Sequence, residues 1–356
     1  MLMVSCHAAL IVALAPFRAA RRNDLAAFCS GNSEDMTSQP LPRGPWRPST
    51  EVLERQALWR EEGDGAPQLA KDEAYASAVM KAWREDLDER GSRSVCSPLT
   101  YACEADGSSL YGHICRPADS SSREKCLPGV VLFHTGAGPQ DIFLRWKADA
   151  LANDRGTFDG GCVVLIADLL GDAGGWAWRD RERYERVRAS LLAPPDDERG
   201  ERAQLRGRVR AALAALSAQP GVDPRRLGAL GFCLGGHPVL ELARMRDPAV
   251  RALVTFHGVF DGAARPAPVE AGADVFDCDV LVCTGADDPF VPAADLAAAL
   301  AAFRGLGYRT RALELAGARH GFTNPAQDAN PSAAFAYSAE AQSEAWAATL
   351  SLLKDL

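Results

Sequence analysis

Short, largely unbroken apolar runs punctuate this chain at residues 130–133, 162–166 and 226–230. Apolar runs without alternation are the pattern of strands covered on both faces in a parallel sheet. Further strands are predicted at residues 252–257, 280–284 and 310–315. Between them, apolar positions recur at helical spacing over residues 141–154, 179–192, 199–218, 237–245 and 293–304, and an amphipathic helix over 338–354 closes the chain. Strands alternating with helices at this spacing imply an α/β fold with a doubly wound, mostly parallel sheet. Ahead of it, residues 99–104 and 109–116 flank Ala105-Asp106-Gly107, a hairpin signal. The main domain is therefore placed at residues 97–356, with no internal repeat.

Residues 49–96 read as a helical preface packed on that domain. Ser49 or Thr50 caps a helix running to Arg60, residues 63–67 break it, and a second helix over 72–90 puts Ala78, Val79, Ala82, Trp83 and Leu87 on one face. No chemistry is assigned to this preface. Residues 1–48 differ again: an apolar run over 8–17 precedes Arg18, Arg21 and Arg22, then a Ser/Gly/Pro-rich stretch follows. A leader within residues 1–22 and a disordered extension are both consistent with this, though no basic residue precedes the run, as a secretory signal requires.

Composition narrows the function. The 356 residues carry 47% hydrophobic and 24% charged positions and a net charge of −8, with no basic stripe, which argues against nucleic-acid binding. No segment approaches the roughly 20 apolar residues of a membrane span. The ten cysteines are scattered, without a C-x-x-C pair or a His/Cys cluster at zinc spacing. The expectation is no disulfide framework, no metal, and a reducing, cytoplasmic compartment.

The candidate chemistry centres on Gly231-Phe232-Cys233-Leu234-Gly235-Gly236-His237, between the strand at 226–230 and the helix at 237–245. A strand feeding a helix through G-x-C-x-G-G is a nucleophile-elbow pattern with cysteine as the nucleophile. Gly231 and Gly235 stand where side chains would collide with backbone, and the helix N-terminus favours thiolate over thiol at Cys233. Asp288 follows the strand at 280–284, and His320 follows the strand at 310–315. All three therefore lie beyond carboxyl ends of strands, where open α/β sheets hold their sites. The order nucleophile, acid, histidine is that of the α/β-hydrolases. Asp287 is the alternative acid.

These motifs resemble the dienelactone hydrolase family, cysteine-nucleophile members of the α/β-hydrolase superfamily. The resemblance rests on the G-F-C-L-G-G elbow, Asp288-Pro289-Phe290-Val291-Pro292, His320-Gly321-Phe322, the hairpin leading into residues 129–134, and the terminal Tyr337…Ala341…Trp346 helix, and it covers residues 97–354. It implies the α/β-hydrolase fold, a Cys233–Asp288–His320 triad and no cofactor. Two positions depart from the family. Its glutamate after the third strand is replaced by Thr135, which implies that Cys233 is activated by His320 alone. Its arginine four residues past the catalytic histidine is replaced by Asn324, which turns the expected substrate from dienelactone itself toward an uncharged or larger ester or lactone.

The backbone N–H of Leu234, with that of Thr135 or Gly136, would form the oxyanion hole. His134 either faces the pocket or packs at its strand end, and packing is the plainer reading; His237 and His257 are read as structural. Trp176 and Trp178, in a Gly-rich loop after a strand end, wall a pocket or anchor the loop. The resulting expectation is a thiol hydrolase of small-molecule esters or lactones. A thioesterase or acyl transferase, a non-catalytic binding protein and a redox thiol remain the alternatives, and the oligomeric state is open.

Overall fold

The computed structural model describes residues 65–91, 93–118, 126–171, 181–193, 202–260, 276–330 and 332–356. The leader-like segment, the helix capped by Ser49 or Thr50, and Trp176 and Trp178 lie outside the described residues.

Helix α1 (Gly65–Arg90) is followed by the hairpin of β1 (Val95–Cys103) and β2 (Ser108–Arg116). Then come β3 (Leu127–Phe133), α2 (Ile142–Ala152), β4 (Val163–Ala167), α3 (Arg181–Leu191) and α4 (Ala203–Ser217). Strand β5 (Val222–Phe232) passes through a 3₁₀ turn (Cys233–Gly235) into α5 (Gly236–Met245). After it run β6 (Val250–Phe256), β7 (Phe276–Gly285), α6 (Ala293–Gly305), β8 (Tyr308–Leu315), a 3₁₀ turn (Pro325–Ala329) and α7 (Ala339–Leu353). The eight strands form one sheet in the order β1-β2-β4-β3-β5-β6-β7-β8. Its first two junctions are antiparallel and the rest parallel.

Both faces of the sheet are covered, which explains the unbroken apolar runs. Along β3, Val131 and Phe133 enter the core beneath α4, α5 and α6, while Val130 and Leu132 enter the opposite core beneath α1, α2 and α7. Among the described residues, no helix is long and apolar enough to cross a membrane.

Helix α1 begins at Gly65 rather than near residue 72. Pro67 sits in its first turn, where a missing N–H leaves no bond unmade. Val79 and Trp83 are buried as the spacing predicts. The helix is also tied down by polar bonds: Trp83 Nε1 donates to Asp149 Oδ2 at 2.7 Å, Trp146 Nε1 donates to Asp86 Oδ2 at 2.9 Å, and Arg90 bridges Asp86 and Asp149.

The cysteines depart from expectation. Cys96 and Cys115 stand directly opposite each other in β1 and β2 and are joined in a disulfide, and Cys126 is disulfide-bonded too. Strand register makes the Cys96–Cys115 pair, so a search by sequence spacing passes over it. Such bonds persist in oxidising compartments, and the cysteine pattern therefore no longer argues for a reducing one. Cys103, Cys162, Cys233, Cys278 and Cys283 are free.

A cation is buried between α2 and α7. Lys147 is 1% exposed, donates to Gln342 Oε1 at 2.9 Å, and lies 3.6 Å above the Trp146 ring. Burial pulls its amine down to about 7, against a smaller opposing pull from Asp86. Between that value and the ordinary lysine value the unfolded chain holds a proton that the folded chain does not, so stability rises with pH across this window and is lowest below it. Lys147→Met should therefore stabilise the fold by about 1–2 kcal/mol near pH 6 and by nothing measurable near pH 10. Urea midpoints at the two pH values test this, and an equal gain at both would contradict it.

Candidate active site

The elbow is built by close backbone approach. Cys233 has φ +54°, a left-handed conformation costly for a side-chain-bearing residue and found where a structure over-determines it. A Cβ on Gly231 would run into the carbonyl oxygen of Gly235, and one on Gly235 would lie 2.6 Å from the carbonyl oxygen of Phe133. The turn after β6 clamps the other side, with Val259 N–H donating to the Cys233 carbonyl at 2.9 Å.

The loop after β7 supplies Asp288, whose side chain is fully buried. Its Oδ1 accepts from Phe290 N at 2.9 Å, which leaves Oδ2 to accept from His320 Nδ1 at 2.8 Å. Asp287 is exposed and makes no such contact with His320. The His320 backbone is pinned between Ala334 and Ala336, and its ring packs against Phe290, Phe335 and His257 with centroids 4.8, 5.2 and 5.0 Å away.

Cys233 and His320 shift each other electrostatically. Burial pushes the Cys233 thiol up. The His320 charge, a hydrogen bond to that ring, and the backbone N–H groups of Leu234 and Gly136 together outweigh burial, so the thiol lies below its ordinary value. Burial likewise disfavours His320 as a cation. The Cys233 charge and the hydrogen bonds to Asp288 and Cys233 nevertheless raise it to about 10. Each of the two groups thus favours the charged form of the other.

Gly136 is thus the second N–H donor at Cys233. Thr135 uses its carbonyl to accept from His134 Nδ1 and its hydroxyl to accept from Ala137 N. His134 does not reach the cavity: it is fully buried, and its Nε2 accepts from Leu169 N. Burial draws it down to about 4, so it stays neutral. His237 is buried against Arg202, whose NH1 donates to its Nδ1 at 2.9 Å. His257 lines the cavity with φ +40°, and its Nε2 bonds the Thr323 hydroxyl at 2.9 Å.

Cys233 and His320 open into a cavity of about 630 Å³. Its walls include residues that periodicity and motif did not single out. Tyr75 comes from α1, Phe143 from α2, and Tyr184, Glu185 and Arg188 from α3. Tyr75 Oη donates to Asp141 at 2.8 Å and accepts from Asn324 Nδ2 at 2.7 Å. The preface, given no chemistry on sequence grounds, therefore forms part of the cavity. On sequence grounds Asp141 is only the first residue of the helix predicted over 141–154.

A mostly parallel sheet with a nucleophile elbow, and an acid and a histidine at the ends of later strands, defines the α/β-hydrolase class. Residues 116–356 match the dienelactone hydrolase family, and the chain belongs to that family. It is accordingly a hydrolase of ester or lactone bonds. The Caenorhabditis elegans protein K02A2.1 is 33% identical over 152 residues, which make up 43% of this chain and 94% of that protein. A probable 2-oxo-3-(5-oxofuran-2-ylidene)propanoate lactonase from a Bradyrhizobium species is 35% identical over 94 residues, 25% of this chain and 37% of the relative. Among solved structures, the dienelactone hydrolase-like promiscuous phosphotriesterase P91 from metagenomic libraries superposes with a TM-score of 0.60 at 31% identity, covering 74% of this chain and 99% of that one. Helix α1 and its Tyr75 lie outside the family match.

Proposed function

We propose that the protein hydrolyses small esters or lactones through a Cys233–Asp288–His320 triad and a covalent acyl-enzyme. The observation that carries this reading is Cys233 held at positive φ, with its thiol drawn below the ordinary value by the His320 ring and the backbone N–H groups of Leu234 and Gly136. The thiolate attacks the substrate carbonyl. The resulting oxyanion takes the N–H groups of Leu234 and Gly136, a preorganised stabilisation that is often the largest catalytic contribution. Collapse breaks the ester C–O bond, and His320 gives its proton to the departing alkoxide. Neutral His320 then takes a proton from water as that water adds to the thioester carbonyl. The second collapse releases the acid and restores the thiolate–imidazolium pair. Asp288 holds the Nδ1–H tautomer throughout, so Nε2 is the nitrogen that exchanges the proton.

Thr135 and Asn324 leave no charged side chain at the two positions where the family carries a glutamate and an arginine, which favours uncharged substrates. The test is a burst assay with p-nitrophenyl acetate. The wild type is expected to turn over and to carry an acetyl adduct on Cys233, and Cys233→Ala to lose at least about 99.9% of kcat/KM. Stoichiometric labelling without turnover would instead support a binding or redox protein. Equal turnover by both proteins would remove the triad.

A further inference from the structure

The loop after β8 carries a row of amides that the mechanism does not use. Three linked turns bring it to the cavity: Asn324 N donates to Gly321 O at 2.9 Å, Gln327 N to Asn324 O at 3.0 Å, and Asn330 N to Gln327 O at 3.0 Å. All four residues line the cavity. Gly321 directly follows His320, has φ +72°, and leaves its side-chain space to Gln327. A Cβ there would lie 2.8 Å from Gln327 Cγ and 3.4 Å from Gln327 Nε2. The Gln327 amide is therefore packed beside the histidine of the proposed triad.

Backbone N–H groups fix which way these amides face. Ala326 N donates to Asn324 Oδ1 at 3.0 Å, and Ser332 N donates to Asn330 Oδ1 at 3.0 Å. With both oxygens spent, the nitrogens do the remaining bonding: Asn324 Nδ2 donates to Tyr75 Oη at 2.7 Å, and Asn330 Nδ2 donates to Gln327 Oε1 at 3.0 Å. Gln327 thus spends its oxygen on Asn330 and is left with its nitrogen. The residue is only 8% exposed, yet among the described residues its Nε2 has no hydrogen-bond partner. The second N–H of Asn324 Nδ2 has none there either. The 3₁₀ turn closes on backbone bonds alone and Asn330 needs only an oxygen, so neither accounts for an amide nitrogen kept at the cavity wall.

We propose that Gln327 Nε2, with the second N–H of Asn324, forms a donor ledge that holds a second carbonyl oxygen of the substrate, a ketone or amide separate from the scissile ester. Such an oxygen would find the donors it needs. An alkyl chain laid in the same place would strip water from Nε2 and leave its N–H groups unpaired. Discrimination by a polar site rests on that penalty. This deepens the hydrolase reading and rests on it for the class of substrate.

The test uses the full-length protein and two pairs of esters that differ by one ketone oxygen. On the acyl side these are p-nitrophenyl 4-oxopentanoate and p-nitrophenyl pentanoate; on the alcohol side they are 4-oxopentyl acetate and pentyl acetate. The quantity read is the keto-to-alkyl ratio of kcat/KM in the wild type divided by the same ratio in Gln327→Met. Intrinsic ester reactivity and general damage to the site cancel in it. A value of about three- to tenfold, chiefly through KM, is expected for at least one pair. The pair that shows it tells which side of the scissile bond the ledge faces. Where Gln327→Met fails to fold, Gln327→Glu takes its place, because near pH 8 it keeps an oxygen for Asn330 and lacks the donor. A value below about threefold for both pairs would overturn the proposal. Titration of Cys233→Ala with 4-oxopentanamide and pentanamide reads the same preference without turnover. A wild type that turns over none of the esters while that preference holds would sink the hydrolase reading and not the ledge; turnover without the preference would sink the ledge alone.

Discussion

Replacing His320 by alanine is expected to lower kcat/KM by about a thousandfold or more and to change how Cys233 responds to pH. In the proposed mechanism the ring serves as counter-ion to the thiolate, as proton donor to the leaving group, and as base toward water, and general acid–base roles of this kind are each worth about 10²–10⁴-fold. In the wild type, Cys233 lies below the ordinary thiol value and His320 is raised to about 10. The pH midpoint for alkylation of Cys233 by iodoacetamide should therefore lie below that of an ordinary thiol. Without the imidazolium, burial becomes the dominant influence and pushes the thiol up. The midpoint in His320→Ala should then move to higher pH. An unmoved midpoint in the variant would show that the Leu234 and Gly136 N–H groups hold the thiolate alone.

Gly231→Ala should abolish activity by opening the elbow. The new Cβ would strike the Gly235 carbonyl oxygen and come within 2.9 Å of Val239 Cγ2. Neither neighbour can yield cheaply, because Gly235 is itself pressed against the Phe133 carbonyl and Val239 is fully buried. Overpacking of this kind costs about 1–3 kcal/mol when side chains absorb it, and more when backbone must move. Expected results are a lower urea midpoint and a kcat at least about a hundredfold down, since the nucleophile is displaced relative to the N–H groups of Leu234 and Gly136. Gly305→Ala is the control. It sits in a helix with nothing within 4 Å of the added carbon, and it should leave kcat intact and stability unchanged or raised by up to about 1 kcal/mol. A Gly231→Ala protein with normal turnover would mean that the elbow tolerates a Cβ the geometry forbids.

Both expectations begin in features legible from the chain alone. The strands were visible because a parallel sheet covered on both faces needs continuous apolar runs. The placement of Cys233, Asp288 and His320 was visible because each lies within a few residues of the end of a predicted strand. Boundaries were less legible. Strand β5 starts at Val222, ahead of the apolar run, and its pairing with β6 shifts register between Leu227 and Gly228. Pairing partners set where a strand ends, and they are remote in sequence.

The amino-acid sequence by itself determined the fold class, the elbow glycines and the order of Cys233, Asp288 and His320 past their strand ends, because those depend on local periodicity and on steric limits within a few residues. The tertiary structure decided the rest. Cys96 meets Cys115 only through the register of an antiparallel pair. Asp288 rather than Asp287 faces His320 because the turn after β7 buries one carboxylate and exposes its neighbour. Tyr75 reaches Asn324 and Asp141 only because α1 docks on α2 through reciprocal tryptophan–aspartate bonds. Contacts of that kind join segments far apart in the chain, and no local pattern encodes them.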